Sequence, residues 1–477
     1  MRGPLAWLAA LMALAAMASG APASGLPPLA LHFHSRPGLH PPGVSVTGDP
    51  DPQSGDIFLT PRYSDTRRVS IQRGPEIFNP AGQLVWFHPV PHGTATNLQV
   101  QSYQGRPVLT WWQSGSDGSG LSRDVIMDTS YRQLALLHAG PGIWTDAHEF
   151  QITSQGTALL NGLITRRANL TAVHGPVNGK VEDDVIQEVD IRTGRVLWSW
   201  YSLNHIPIRY TYVRPQVSRT FDYFHLNSIQ QLPDGNLIIS ARHTWAIYEI
   251  SKATGRVIWE LGGKHSSFAM GPGTRFSWQH DARLTGDSVS LFDDASDGPD
   301  QDEPESSAKV LRLDVANRTA TLERRYIHSP ALLATSQGNV QSLPDGDVLI
   351  GWGSSPEFSE YNRSGRQTFN GTFALGVCSY RAFRFRWTGQ PSTPPAMGIS
   401  PSSPAKVTIY ASWNGATRVA AWRVLAGASA QSLSWVTRAA RTGFETTIHV
   451  NSPLKYFAVQ ALDAQGDVLG TSAVKPR

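Results

Sequence analysis

Residues 225–243 read "HLNSIQQLPDGNLIISARH", and residues 245–261 read "WAIYEISKATGRVIWEL". In both stretches apolar residues alternate with polar ones on either side of a turn signal, Pro-Asp-Gly in the first and Thr-Gly-Arg in the second. This pattern is typical of a β-hairpin. One hairpin followed directly by another predicts a four-stranded antiparallel unit.

The same unit recurs along the chain. Hairpins of the first kind read "NLQVQSYQGRPVLTWW", "HEFQITSQGTALLNGL", "HDARLTGDSVSLFD" and "NVQSLPDGDVLIGWG". With "GDIFLTPRY" and "GPEIFNPAGQLVWF" counted as the first unit, six units start near residues 55, 97, 148, 227, 280 and 338. Six four-stranded units at this spacing predict an all-β fold, a six-bladed β-propeller.

The composition changes after Trp387. Residues 391–404, "PSTPPAMGISPSSP", are rich in Pro and Ser, which favours a linker. Beyond it, residues 405–477 contain short alternating stretches such as "KVTIYASW" and "YFAVQALDAQG". We therefore predict a propeller over 21–390, a linker over 391–404 and a small C-terminal β-sandwich of fibronectin-III or immunoglobulin-like type over 405–477.

The N-terminus has the layout of a secretory signal peptide, predicted over residues 1–20: an early Arg, an apolar run and then small residues. Four Asn-x-Ser/Thr sequons fit passage through a glycosylating compartment. They are at Asn169, Asn317, Asn362 and Asn370. We expect a secreted or extracytoplasmic, N-glycosylated protein.

Charge and cysteine content exclude several classes of protein. The formal net charge is +4 and the Lys and Arg residues are dispersed, which argues against a nucleic-acid partner. Cys378 is the only cysteine, so no intramolecular disulfide or thiolate metal cluster can form, and we expect it to be buried. No stretch approaches the roughly 20 apolar residues of a transmembrane span. The oligomeric state is left open.

Three of the repeated hairpins begin with a histidine. His148, His225 and His280 occupy the same register, and residues at equal register in successive blades converge at one rim of a propeller. Arg242 ends the return strand of the second hairpin, so it should lie beside His225. A single histidine next to a strand is more often structural, but three at one register with an arginine favour a shared site.

Such a site suits the transfer of a charged group. A neutral imidazole can attack an electrophile while a second histidine moves a proton, and a guanidinium stabilises the oxygens of a sulfuryl or phosphoryl group. No carboxylate at a known ligand spacing accompanies the histidines, so the sequence predicts neither a metal site nor a cofactor. The acidic run "DDASDGPDQDEPE", residues 293–305, is interpreted as a solvated loop rather than a calcium site.

The motifs "DAHEF", "FHLNSIQQLPDGNLIISARH" and "FSWQHDARLTGDSVSLFDD" resemble those of the arylsulfotransferases, six-bladed propellers, and specifically their divergent secreted branch. The resemblance covers roughly residues 55 to 390. It implies transfer of a sulfuryl group from an aryl sulfate ester to a phenolic acceptor through a sulfurylated histidine, without a nucleotide sulfate donor. The departures are a C-terminal rather than an N-terminal sandwich and the lack of a cysteine pair.

The resemblance also implies roles for individual residues. His280, in "FSWQH", corresponds to the nucleophile. His225 and Arg242 correspond to the sulfate-binding and acid/base pair, and His148 to a further histidine of the same site. The remaining candidates for substrate contact are Tyr223, Asn227, Trp278, His243 and Lys264.

Two alternatives remain open at the level of sequence. "TGRVLWSW" and "TGRVIWEL" are similar to the tryptophan-docking repeats of quinoprotein propellers, although only two good copies occur and the vicinal cysteine pair is impossible. The second alternative is a non-catalytic secreted propeller that binds glycan or protein, because propellers serve both purposes.

Overall fold

The structure is a computed structural model of the 477-residue chain, and it describes residues 26–48, 54–64, 69–115, 121–216 and 219–477. The predicted signal peptide, residues 1–20, lies outside the described residues. Within the described ranges the chain is nearly all β, with no α-helix and three short 3-10 turns at Thr171–Val173, Ser202–Asn204 and Ile208–Tyr210.

Twenty-nine strands are described before residue 390. They are β1 (Val44–Gly48), β2 (Asp56–Leu59), β3 (Pro61–Tyr63), β4 (Glu76–Phe78), β5 (Leu84–Phe87), β6 (Ala95–Tyr103), β7 (Arg106–Gln113), β8 (Arg123–Met127), β9 (Gln133–Leu137), β10 (Trp144–Ile152), β11 (Thr157–Ala168), β12 (Gly179–Asp190), β13 (Val196–Tyr201), β14 (Phe221–Asp222), β15 (Leu226–Gln231), β16 (Leu237–Ala241), β17 (Ala246–Ile250), β18 (Val257–Gly262), β19 (Ala269–Met270), β20 (His280–Thr285), β21 (Ser288–Asp293), β22 (Ser307–Asp314), β23 (Thr319–Tyr326), β24 (Asn339–Ser342), β25 (Val348–Gly351), β26 (Glu357–Tyr361), β27 (Gln367–Phe373), β28 (Val377–Ser379) and β29 (Phe383–Phe385).

Most of these strands form six sheets of four or five strands. The sheets run in the orders β29-β2-β4-β5, β6-β7-β8-β9, β10-β11-β12-β13, β15-β16-β17-β18, β20-β21-β22-β23-β19 and β24-β25-β26-β27-β1. Pairing is antiparallel except where β14 joins β12 and β19 joins β23. Strands β3 and β28 form a separate two-stranded ribbon.

The first strands of neighbouring sheets contact one another in succession. Strand β6 contacts β10, β10 contacts β15, β15 contacts β20 and β20 contacts β24, while β29 contacts both β25 and β6. We call β6, β10, β15, β20, β24 and β29 the inner strands. Each sheet therefore lies between two others.

This position explains why the strands read as continuous apolar runs. Every residue of β16, Leu237–Ala241, is buried. Ile239 packs with residues of the sheet before it, including Trp200, and Ile238 packs with residues of the sheet after it, including Leu291. Because both faces of the sheet are covered, both faces are apolar.

The first sheet differs from its sequence prediction. The unit expected to start near residue 55 does not supply its own inner strand, because that position is filled by β29 from the far end of this region. In turn β1 adds to the outer edge of the sixth sheet by pairing with β27. Strands of distant sequence thus complete the first and the last sheet.

Side-chain amides join the inner strands. Gln230 donates to the carbonyl oxygen of Leu284 at 2.8 Å and accepts from the Leu284 N–H at 2.6 Å. Gln341 makes the same two bonds with Arg384 on β29, at 2.9 and 2.7 Å. Each such amide replaces the main-chain pairing that neighbouring sheets lack.

The C-terminal part of the chain forms two further sheets. Its strands are β30 (Ala396–Ser403), β31 (Lys406–Ser412), β32 (Ala421–Ser429), β33 (Ser432–Ala440), β34 (Glu445–Asn451), β35 (Tyr456–Leu462), β36 (Val468–Thr471) and β37 (Lys475–Pro476). One sheet has the order β30-β31-β34 and the other β33-β32-β35-β36, with β37 also on β35, and they share one apolar core. The expected linker 391–404 differs from the structure here, because most of it is strand β30.

Among the described residues, no helix has the length and apolar character needed to cross a membrane. Cys378 is buried, as the sequence predicts.

Candidate active site

The three histidines predicted to converge do so in one cavity of ≈ 360 Å³. Arg242 lines the same cavity, as predicted, and its N–H donates to the carbonyl oxygen of His225 at 2.9 Å. The complete lining is Arg62, Thr96, Ala147, His148, His225, Arg242, His280, Asp297, Thr335, Ser336, Gln337 and Tyr380.

The imidazoles of the three histidines lie close together. One ring nitrogen of each is within 4.8 Å of the others, and the ring centroids of His148 and His225 are 4.9 Å apart. His280 is buried, whereas the side chains of His148 and His225 are 21% and 27% exposed. The site is therefore a pocket with a buried floor and an accessible mouth.

Irregular backbone directs these side chains into the cavity. The register of β10 shifts between Thr145 and Phe150, around His148, and that of β20 shifts just after His280. His225 precedes β15 with a φ of 58°, a left-handed value that is uncommon for a residue other than glycine. β-Bulges commonly redirect side chains next to functional sites.

Each histidine is held by a carboxylate at Nδ1. The Nδ1 of His148 is hydrogen-bonded to Asp146, that of His225 lies 2.5 Å from Asp222 Oδ2, and that of His280 lies 2.7 Å from Asp294 Oδ2. A carboxylate at Nδ1 fixes the tautomer and the orientation of the ring. The Nε2 of each histidine is thereby left for contacts other than a carboxylate.

These carboxylates correct two sequence interpretations. The histidines do have acidic partners. Two of them shortly precede their histidine, Asp146 before His148 and Asp222 before His225, and Asp294 follows the hairpin that His280 begins. The acidic run 293–305 is not wholly a solvated loop, since Asp293 and Asp294 are fully buried. Asp281, although adjacent to His280 in sequence, instead binds Arg283 and Arg381.

The surroundings of His280 favour an uncharged imidazole with a lone pair at Nε2. Burial, together with the charge of Arg242, lowers its pKa well below the usual value, and burial raises the pKa of Asp294. The Gln337 N–H donates to Nε2 at 3.3 Å, which requires a lone pair on that nitrogen.

His225 is also neutral near pH 7. Burial lowers its pKa to about 4, against the attraction of Asp222. Burial alone would raise the pKa of Asp222, but the contacts with His225 and His243 outweigh this effect. The pKa of Asp222 therefore falls well below the usual range. The pair is thus an ionised carboxylate and a neutral imidazole.

Arg242 is fixed from three sides. Its guanidinium donates to the carbonyl oxygen of Thr335 at 2.9 Å and to His243 Nε2 at 3.2 Å, and it stacks 5.0 Å above the ring of Trp278. The side chain is only 8% exposed. A guanidinium held in this way provides a preorganised positive charge beside the histidines.

The five further candidates for substrate contact lie outside the cavity lining. His243 and Trp278 support Arg242 from behind, and the indole of Trp278 donates to Asp302. Tyr223 and Asn227 are fully buried and bond the carbonyl oxygens of Ile206 and Gln279. Lys264 is exposed and donates to the carbonyl oxygens of Arg209 and Thr211.

The sixth sheet contributes to the cavity in a way that the histidine register did not predict. Thr335, Ser336 and Gln337 line the cavity from the segment before β24, where no histidine stands at the repeat register. Gln337 has a φ of 72° and is followed by Gly338 at 98°. Two successive left-handed residues turn the Gln337 N–H toward His280, and the Gly in "SQGNV" was the available signal for that turn.

A buried ion cluster lies among the inner strands. Arg283 pairs with Glu149 and Asp281, and Arg381 pairs with the same two carboxylates at 3.2 and 3.3 Å. The four residues lie on or next to three inner strands: Glu149 on β10, Asp281 and Arg283 on β20, and Arg381 just before β29. The cluster ties together the strands that carry the histidines.

Comparison with known proteins bears on what this site does. The family model described as Arylsulfotransferase (ASST) matches residues 99–374, more than half of the chain. The chain belongs to the arylsulfotransferase family. The matched range includes all three histidines, their three carboxylates and Arg242. No curated protein matches this chain.

Solved structures resemble it only weakly. A protein of unknown function from Bacteroides caccae is 13% identical, with 69% of this chain and 98% of that chain covered at a TM-score of 0.42. An inactive variant of virginiamycin B lyase from Staphylococcus aureus is 10% identical, with 77% and 96% covered at a TM-score of 0.36. At these scores the likeness carries no argument about fold or activity.

Proposed function

We propose that this protein moves a sulfuryl group from an aryl sulfate ester to a phenolic acceptor through a covalent intermediate on His280, without a nucleotide sulfate donor. The observation that carries the proposal is the convergence of three carboxylate-held imidazoles and Arg242 in one cavity. The proposal gives these four residues the catalytic roles and requires no cofactor.

In the first half-reaction, Nε2 of His280 attacks the sulfur of the donor. A nitrogen–sulfur bond forms, and the bond between sulfur and the aryl oxygen breaks with its electron pair leaving on an aryloxide. The positive charge that develops on the imidazole is stabilised by the hydrogen bond between Nδ1 and Asp294. Donors whose phenol is more acidic should therefore react faster.

In the second half-reaction, the oxygen of an acceptor phenol attacks the sulfuryl group on His280. A new oxygen–sulfur bond forms, the nitrogen–sulfur bond breaks, and the phenolic proton passes to Nε2 of His225 or His148 and then to solvent. Burial keeps His225 neutral near pH 7, so it can accept that proton.

Arg242 is assigned to the sulfuryl oxygens. In an in-line transfer the charge on the equatorial oxygens is the main feature to be stabilised, as in phosphoryl transfer. The contacts with Thr335, His243 and Trp278 support this role because they hold the guanidinium in place before substrate arrives.

The proposal extends to the architecture and location of the protein. We interpret the six sheets over 21–390 as the blades of a propeller with the histidines at one end of its channel, and the two sheets after it as a β-sandwich. The succession of inner-strand contacts supports the first interpretation, and the shared core supports the second. The predicted secretion and N-glycosylation remain proposals that rest on the sequence.

The test is direct detection of the intermediate. Purified protein is incubated with 4-nitrophenyl sulfate or 4-methylumbelliferyl sulfate without acceptor, and the intact mass is measured. One added SO₃ group, mapped to His280 and removed when a phenol is supplied, is the expected result. His280→Ala should form no adduct, whereas His138→Ala, at an exposed histidine, should behave as the unaltered protein.

Absence of both transfer and adduct in folded protein would overturn the proposal and favour a non-catalytic binding propeller. Transfer with an adduct at another residue would overturn the assignment of His280 alone.

A further inference from the structure

The structure assigns a second capacity to the same three imidazoles. We propose that His148, His225 and His280 bind one divalent transition-metal ion of the zinc class through their Nε2 atoms. This inference does not depend on aryl sulfate transfer, because it rests on the ligand geometry alone.

The first support is the type and number of the donors. Three imidazoles with a fourth position open to solvent or substrate are a ligand set typical of accessible zinc sites. One ring nitrogen from each histidine lies within 4.8 Å of the others. The cavity beside them leaves room for a fourth, non-protein ligand.

The second support is what holds the rings. Metal-bound histidines nearly always donate their other ring N–H to a carboxylate, a carbonyl or water, which orients the ring and raises the basicity of the ligating nitrogen. Here all three Nδ1 atoms have a carboxylate partner, in Asp146, Asp222 and Asp294. A single nucleophilic histidine would need only one carboxylate partner. The presence of a carboxylate behind all three imidazoles therefore favours a role for all three as ligands.

The third support is charge. The carboxylates of Asp146 and Asp222 lie directly behind the proposed ligands His148 and His225, and they offset the charge of Arg242 on one side of the cavity. Arg242 then lies next to the open position, where it favours an anionic fourth ligand such as hydroxide, sulfate or an aryl sulfate.

Binding requires a small closure of the rings. Nitrogens bound tetrahedrally at about 2.0–2.1 Å from zinc lie about 3.4 Å from one another, somewhat closer than the 4.8 Å limit seen here. His148 and His225 are the partly exposed members of the set, so the proposal assigns this closure to their side of the cavity.

A neighbouring group fits less well. Asp222, His225 and His243 also come within the same distance of one another. However, His243 already donates from Nδ1 to the carbonyl oxygen of Asp222 at 2.8 Å and accepts at Nε2 from Arg242 at 3.2 Å. An ion at His243 would have to displace the charged Arg242 guanidinium from Nε2, whereas at His280 it would displace only the main-chain N–H of Gln337, which is 3.3 Å away. We therefore place the ion among the other three histidines.

The consequence is mutual exclusion. The ion and a sulfuryl group would use the same lone pair on Nε2 of His280, so metal binding should suppress formation of the adduct. Protein freed of metal by a chelator should therefore be the form that is competent for transfer.

The test uses Co²⁺ as a spectroscopic probe on the full-length protein after treatment with a chelator. We expect one equivalent to bind with the intense visible absorption of tetrahedral cobalt, and Zn²⁺ to displace it. X-ray absorption of the complex with the unaltered protein should show three imidazole ligands and one oxygen ligand.

Variants separate this site from its neighbours. His148→Ala and His225→Ala should each weaken Co²⁺ binding at least tenfold and abolish the tetrahedral spectrum, with thermal unfolding confirming that they fold. His138→Ala and His243→Gln should retain both. Weak binding, an octahedral spectrum, or loss of binding in His243→Gln but not in His148→Ala would overturn the proposal.

The outcome is separable from that of the sulfuryl-transfer test. Cobalt binding is measured without any aryl sulfate, and the adduct is measured on metal-free protein. Either result can therefore fail while the other stands.

Discussion

At the scale of single residues, the candidate site depends on partners more than on the histidines themselves. His280 has a carboxylate at one nitrogen and a main-chain N–H at the other, and burial keeps it uncharged. Arg242 is held by a carbonyl oxygen, an imidazole and an indole ring. These contacts convert common side chains into oriented groups.

Arg242→Lys and Arg242→Met should separate charge from geometry. We expect Arg242→Met to lower kcat/KM for sulfuryl transfer by about 10²–10³-fold, the usual cost of losing one preorganised donor. Arg242→Lys should recover only part of this loss, because a lysine cannot keep both the contact with Thr335 and the stack on Trp278. The measurement is steady-state transfer from 4-methylumbelliferyl sulfate to a phenol.

The control for this pair is Arg256→Lys, in the turn before β18 and away from the cavity. Equal activity of Arg242→Lys and the unaltered protein would show that a point charge suffices and that the fixed guanidinium has no role.

At the scale of elements, the inner strands are aligned by side chains rather than by a shared ladder. Gln230 makes two hydrogen bonds to the main chain of Leu284, which lies four residues after His280 on the same strand. The position of His280 relative to His225 thus depends on contacts such as this one.

Gln230→Ala should lower stability and loosen the site together. Loss of two partly buried hydrogen bonds that leaves the Leu284 main chain unpaired should cost about 1–3 kcal/mol in the free energy of unfolding. Urea unfolding measures the stability, and adduct formation measures the site. Gln133→Ala, at an exposed position on β9, is the matched control and should change neither.

A fall in stability without any change in adduct formation would contradict the link between this amide and the site. Unchanged stability would contradict the structural role itself.

Register within the repeat made the convergence of His148, His225, His280 and Arg242 predictable from the sequence. The partners were not predictable in the same way. Asp294 reaches His280 across a hairpin, and the direction of each ring follows from bulges and left-handed residues that the alternation pattern does not encode. Gln337 was missed because its contribution is a main-chain N–H, which any residue carries.

At the scale of the whole molecule, buried acidic groups make stability depend on pH. Burial raises the pKa of Glu260, on β18, to about 7, well above its ordinary value of 4.5. Between these two values the folded protein retains a proton that the unfolded chain releases. The contribution of this group to stability is therefore lost progressively as the pH rises from about 4.5 to about 7.

Glu260→Gln should remove that dependence. We expect the variant to be more stable than the unaltered protein by about 2–3 kcal/mol at pH 8 and to show little gain at pH 4.5. A glutamine can still accept the hydrogen bond from the His265 N–H. The measurement is the free energy of urea unfolding across this range, and an equal gain at both pH values would contradict the assigned cause.

The exchange of β1 and β29 between the first and last sheets has a consequence for synthesis. While the chain emerges from the ribosome, the sheet begun by β2 has no inner strand until Phe385 has left the exit tunnel, because β29 is its missing neighbour. In nascent chains that stop earlier, β2 remains an edge strand, unpaired on one side, to which chaperones and proteases can bind. Arrest at successive lengths should therefore show protease resistance rising abruptly only after this residue is released.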